Sequence, residues 1–134
     1  MKQQEVIKTL VNKWIKKADN DLLTVERELS FKDPVTDTVC FHCQQAVEKY
    51  LKAFLVYHQI YFPKTHKIMD LLELCATVDT SFKNELNEAD NLTDYAVELR
   101  YPDVWIEPDI QETEEAFKIA KNVKKFVLNK LSIC

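Results

Sequence analysis

Cys40-Phe41-His42-Cys43-Gln44-Gln45-Ala46-Val47-Glu48-Lys49-Tyr50-Leu51-Lys52-Ala53 is the stretch whose spacing decides the fold. Cys40, Cys43, Val47, Tyr50 and Leu51, continued by Phe54, recur at threes and fours and so share one side of an α-helix. The pattern predicts a helix over about residues 38–59, and Asp37 fits its N-cap. Opposite the core side runs a second stripe, Phe41, Gln45, Glu48 and Lys52, with Glu48 and Lys52 spaced to pair at i, i+4. Such a stripe is either the rim of a wide core or an interface between two copies, where aromatics ringed by polar groups are typical.

The same periodicity extends outward. Ile7, Val11, Trp14, Ala18, Leu22, Val25 and Leu29 predict a first helix over about residues 3–29. After Pro63, Thr65 can cap a short third helix carrying Ile68, Leu71 and Leu72. A fourth helix is expected over about residues 79–100, with Phe82, Leu86, Ala89, Thr93, Ala96, Val97 and Arg100 on one side. A fifth, about residues 110–131, buries Ala116, Ile119, Ala120, Val123, Phe126 and Val127. Phe117 and Leu128 sit at the edge of its apolar arc. From Tyr101 to Glu115 its approach carries acids and no Lys or Arg; from Ala116 onward it carries lysines and no acids, an order that suits the helix macrodipole. The expected fold is all-α, an up-and-down bundle of four long helices plus one short one, forming a single domain over residues 1–134.

Composition narrows the function. The chain of 134 residues has no glycine, which excludes a P-loop and a dinucleotide fingerprint and disfavours tight hairpins. A net charge of −4 argues against coating nucleic acid by electrostatics alone. Lys8, Asn12, Lys13 and Lys16 interrupt any signal-peptide core, and no apolar run approaches membrane-spanning length. Four cysteines without a disulfide framework fit a reducing cytoplasm. No membrane association and no cofactor are expected.

Arg100 is one of only two arginines, the other being Arg27. Tyr101 precedes Pro102 and is pushed out of the α region, so the helix is expected to end near Arg100. Two roles fit a guanidinium there. It can cap carbonyls at the helix end, tied by Asp103 or by Asp21 of the first helix. Alternatively it faces a cleft, with Tyr101 and Asp103 beside it, and grips a phosphate.

Several stretches together resemble the HEPN domain family of prokaryotes. They are Trp14, Ala18 and Asp21-Leu22, the Cys40–Ala53 stretch, Pro63-Lys64-Thr65-His66-Lys67-Ile68, and Leu92-Thr93-x-Tyr95-x-x-x-x-Arg100-Tyr101-Pro102-Asp103. The resemblance implies a helical bundle, a homodimer, and a small nucleotidyltransferase partner in toxin–antitoxin-like pairs. It also implies a nucleotide- or RNA-related role. Many members are metal-independent ribonucleases whose motif is Arg, four to six residues, then His. Here the positions counted from Arg100 hold Trp105, Ile106 and Glu107, and those counted from Arg27 hold Lys32, Asp33 and Pro34. The motif histidine is missing.

His66 follows Thr65 into the expected first helical turn, where the macrodipole disfavours an imidazolium. With Lys64 it forms a candidate phosphate-binding or acid–base pair; the alternative is a locally bonded ring beside a solvated lysine. Cys40, His42, Cys43, His58 and Cys75 do not suit zinc, because Cys40 and Cys43 share the core side while His42 projects elsewhere and His58 lies about 22 Å farther along. Lys13, Lys16 and Lys17 with Lys121, Lys124 and Lys125 form either a solvated face or a basic rim. Three function classes follow: a dimeric nucleotide- or RNA-associated binding module, a metal-independent endoribonuclease using Arg100 with His66 or another acid–base group, or a bundle whose Arg-Tyr-Pro-Asp element is only structural.

Overall fold

α2 (Thr36–Tyr57) is the element around which the others are arranged. It packs against α1 (Lys2–Leu29), α5 (Ile110–Leu131), α3 (Ile68–Ala76) and a 3₁₀ stretch (Asn87–Tyr95) that follows the short α4 (Ser81–Leu86). The computed structural model describes residues 2–96 and 106–131, and among these there is no β-strand. Surrounded on several sides, α2 buries Cys40, Cys43, Val47, Tyr50, Leu51 and Phe54, as its spacing predicts. It also buries Val39, Gln44, Ala46, Glu48, Ala53 and Leu55, so its apolar arc is wider than one stripe. Phe54 stacks on Phe82, and Phe82 meets Phe126 edge-on, joining α2, α4 and α5.

α5 spans the predicted residues, and its start is capped by Asp109, whose carboxylate accepts the Glu112 N–H at 2.7 Å. The start of α2 differs from expectation. Val35, with its N–H held by Glu28 at 2.9 Å, precedes the first helical residue, so Asp37 lies inside the first turn rather than capping it. There its charge still complements the macrodipole. α2 ends in a Schellman motif: the Ile60 N–H reaches the Leu55 carbonyl at 2.9 Å and the Gln59 N–H that of Val56 at 3.0 Å. In this glycine-free chain Gln59 takes the left-handed position, at φ 56°.

The expected long fourth helix is instead α4 plus the 3₁₀ stretch, and Ala96 is already extended (ψ 136°). Burial explains the difference. Leu86, Ala89, Leu92 and Tyr95 are buried at a strict interval of three, the period of a 3₁₀ helix, which a 3.6-residue wheel misses. The tighter winding also places Asp90 and Thr93 over the start of α3. The Ile68 N–H donates to Thr93 Oγ1 at 3.0 Å and the Met69 N–H to Asp90 Oδ1 at 2.9 Å. Thr65, the expected cap, accepts only the Lys67 N–H and donates to Asp70, so α3 is capped by a distant segment. At the other end of the bundle Lys130 lies 2.8 Å from Asp79, and with Ser81 holds that carboxyl down to about 2.

Candidate functional site

Two carboxylates organise a polar strip along α2. Glu48 is 3% exposed, yet its environment contains donors for both oxygens. Oε1 accepts from Lys52 Nζ at 3.1 Å; Oε2 accepts from His66 Nδ1 at 3.1 Å and from Gln44 Nε2. Gln44 in turn accepts from Gln45 at 2.8 Å, and its amide nitrogen lies 3.4 Å from the His66 carbonyl. Lys52 reaches Glu48 alongside the Trp14–Phe62 ring pair, its Nζ 5.6 and 5.7 Å from their centroids. A buried carboxylate satisfied by charged and neutral donors is a rigid anchor, and here it fixes the position of an imidazole at the surface.

The second carboxylate is Asp21 of α1. Its Oδ1 meets His42 Nδ1 at 2.8 Å and its Oδ2 meets Lys49 Nζ at 2.7 Å. His42 and Lys49 lie two turns apart on α2, so one side chain of α1 bridges them. The strip therefore runs His42, Gln45, Lys49, Lys52 along α2, with Lys64 and His66 beyond it on the loop before α3. His42 and His66 each have a carboxylate on Nδ1, which in the neutral ring places the proton on that nitrogen and the lone pair on Nε2.

The sequence-derived candidates fall into four groups. His66 is brought to Glu48 and Lys52, and Lys64 is exposed nearby in the same loop. Asp21, one of two carboxylates offered as a tie for Arg100, holds His42 and Lys49. Arg100, Tyr101 and Asp103 lie outside the described residues. Of the expected interface stripe, Phe41, Gln45 and Lys52 are half-buried, whereas Glu48 is inside the protomer. That placement arises because the loop before α3 covers the side of α2 that a single-helix wheel leaves open. His66 also lies two residues before α3 rather than in its first turn.

Sequence reasoning missed the Asp21–His42–Lys49 cluster, although the seven-residue spacing of His42 and Lys49 was a signal that both face one neighbour. The cysteines behave as core residues. Cys40, Cys43 and Cys75 are buried, and burial pushes the Cys40 thiol up to about 11 and that of Cys75 up to about 12. Among the described residues no three His, Cys, Asp or Glu side chains converge as metal ligands would. Nor, among them, is any helix long and apolar enough to cross a membrane.

Comparison with known proteins places this arrangement. The crystal structure of TT1696 from Thermus thermophilus is similar, with a TM-score of 0.72 and 27% sequence identity over 90% of this chain and 97% of that one. A search of curated proteins finds no match. The model of the HEPN domain matches residues 11–131, which takes in α2, both carboxylate clusters and α5. By that match, over most of its length and with the helical bundle the family implies, the chain belongs to the HEPN domain family.

Proposed function

We propose that this protein is a nucleotide- or RNA-associated binding module, acting as a homodimer with a small nucleotidyltransferase partner in a toxin–antitoxin-like pair in the cytoplasm. Membership of the family supports the nucleotide- or RNA-related role in general. The observation that carries the finer reading is His66 held on buried Glu48 beside Lys52, with exposed Lys64 two residues away. Cationic and N–H donors on a rigid carboxylate anchor suit a phosphate, because binding then costs little ordering. In this reading Arg100, Tyr101 and Asp103 are further phosphate-binding groups, and Asp21 holds His42 and Lys49 on the strip. Phe41 lies about 16 Å nearer the start of α2 than Lys52, so a second copy can meet α2 there and leave the phosphate end open.

Binding without cleavage is the leading reading, because the family's motif positions hold Trp105, Ile106 and Glu107. One observation favours the alternative of a metal-independent endoribonuclease. The Glu48–His66 pair has the carboxylate–imidazole arrangement of a general acid–base, which could stand in for the missing histidine. A single experiment separates the two. Labelled single-stranded RNA is incubated, in chelator, with the wild type, Arg100→Ala and His66→Ala, and both retention and cleavage are scored. The module reading expects intact RNA bound by the wild type and at least about tenfold weaker binding by each variant at unchanged melting temperature. Cleavage by the wild type that both variants lose selects the ribonuclease. RNA neither bound nor cut overturns both.

A further inference from the structure

α1 and α5 both pack on α2 but diverge from each other, and the space between them is a long groove. It consists of two stretches of about 710 and 690 Å³ that meet at Leu128. On α1 it extends from Gln4 to Glu26, a length of about 33 Å or six helical turns. Its floor is mostly aliphatic, made by Ile7, Val11, Ile15, Leu22 and Leu128 with Tyr57 and Phe117 beside them, and Leu23 at its edge is 41% exposed. Its second stretch has basic rims, Lys16 on α1 facing Lys121, Lys124 and Lys125 on α5, and Lys8 adds a charge along the first. Against these stand Asp19 and Glu26, and Asp19 is already engaged by Tyr50 at 2.5 Å and Lys124 at 3.2 Å. Local positive charge on a chain of net charge −4 is concentrated where the apolar floor is open.

We propose that this groove docks an acidic amphipathic helix of a partner protein, which would occupy the fourth corner of a square whose other corners are α1, α2 and α5. An apolar trough of this length matches the i, i+3, i+4, i+7 stripe of a helix, and lysine rims match carboxylates flanking that stripe. Single-stranded RNA fits the rims better than the floor, whose two aromatics are both engaged: Tyr57 is half-buried and edge-on to His58 at 5.0 Å, and Lys121 Nζ sits 4.3 Å over the ring of Phe117. A second copy of the chain fits less well. The exposed side of α1 sets Val6 and Leu10 beside Lys13 and Lys17, and that of α5 carries Glu114, Glu115 and Lys118 without an apolar stripe. The groove lies apart from the α2 strip, so this inference does not depend on the phosphate reading.

The test titrates isotope-labelled full-length protein with three probes: a helical peptide with a leucine stripe flanked by glutamates, its lysine-flanked counterpart, and an oligouridylate. The glutamate peptide is expected to bind, shifting the methyl resonances of Ile7, Ile15, Leu23 and Leu128 and weakening as salt rises. Reversing three exposed rim charges in Lys16→Glu, Lys121→Glu, Lys125→Glu is expected to reduce its affinity at least about tenfold at unchanged melting temperature. Leu23→Asp, another exposed position, is expected to weaken it as well. The proposal is overturned by equal binding of the two peptides, by the oligouridylate binding more tightly at the same methyls, by self-association that shields those methyls, or by no peptide binding at all.

Discussion

Glu48 shows how one residue can be misread from a helix and understood from its neighbours. On the wheel it belongs to the outer stripe with Phe41 and Gln45; in the bundle it is a buried anion holding Lys52, Gln44 and His66. Removing the buried carboxylate leaves Lys52, itself largely buried, uncompensated, which costs about 3–5 kcal/mol. Glu48→Ala is therefore expected to lower unfolding stability by an amount in that range in urea titrations. Glu48→Gln keeps one acceptor oxygen in a side chain of the same shape and is expected to cost less. If both variants unfold within about 1 kcal/mol of the wild type, the cluster is held in place by its surroundings rather than holding them.

At the scale of elements, the 3₁₀ stretch does what a helix could not. Its three-residue repeat buries Leu86, Ala89, Leu92 and Tyr95 while turning Asp90 and Thr93 toward the start of α3. Asp90→Ala is expected to destabilise the protein by about 1 kcal/mol, as loss of an N-cap does, and to speed hydrogen exchange at the Met69 amide. Thr65→Ala is the comparison, expected to change exchange at Met69 little, since Thr65 bonds only within its own turn. The boundaries of α1 and α5 were legible because each carries sustained 3.6-residue periodicity, and α5 also has polarised charge. The fourth element was not, because a strict threefold interval overlaps helical spacing over one or two turns. The site was legible in part: His66 stood out by its position beside Lys64. Its contact with Glu48 depends on how the loop after Pro63 crosses α2, which no local pattern specifies.

For the molecule as a whole, the arrangement separates three surfaces: the polar strip of α2, the lysine-rimmed groove between α1 and α5, and the edge bearing Phe41. Phe41, half-buried and edge-on to His42 at 5.5 Å, is the residue through which the proposed dimer is most directly tested. A carboxylate at the centre of an interface is costly to bury, so Phe41→Glu is expected to give a monomer by size exclusion with light scattering. A dimer that persists with unchanged mass removes Phe41 from the interface.

Gln59 has a consequence that reaches beyond its own turn. Among the described residues it is the one non-glycine position with a left-handed backbone, a conformation that costs an ordinary residue about 1–2 kcal/mol. A glycine would relieve it, but this chain has none at any of its 134 positions. Each place where another chain would carry glycine and this one does not narrows the denatured ensemble, by about 0.4–1 kcal/mol where the native backbone permits. Part of what keeps this bundle folded thus resides in the disorder its unfolded chain never had, and Gln59 is where the native state carries the strain of that restriction.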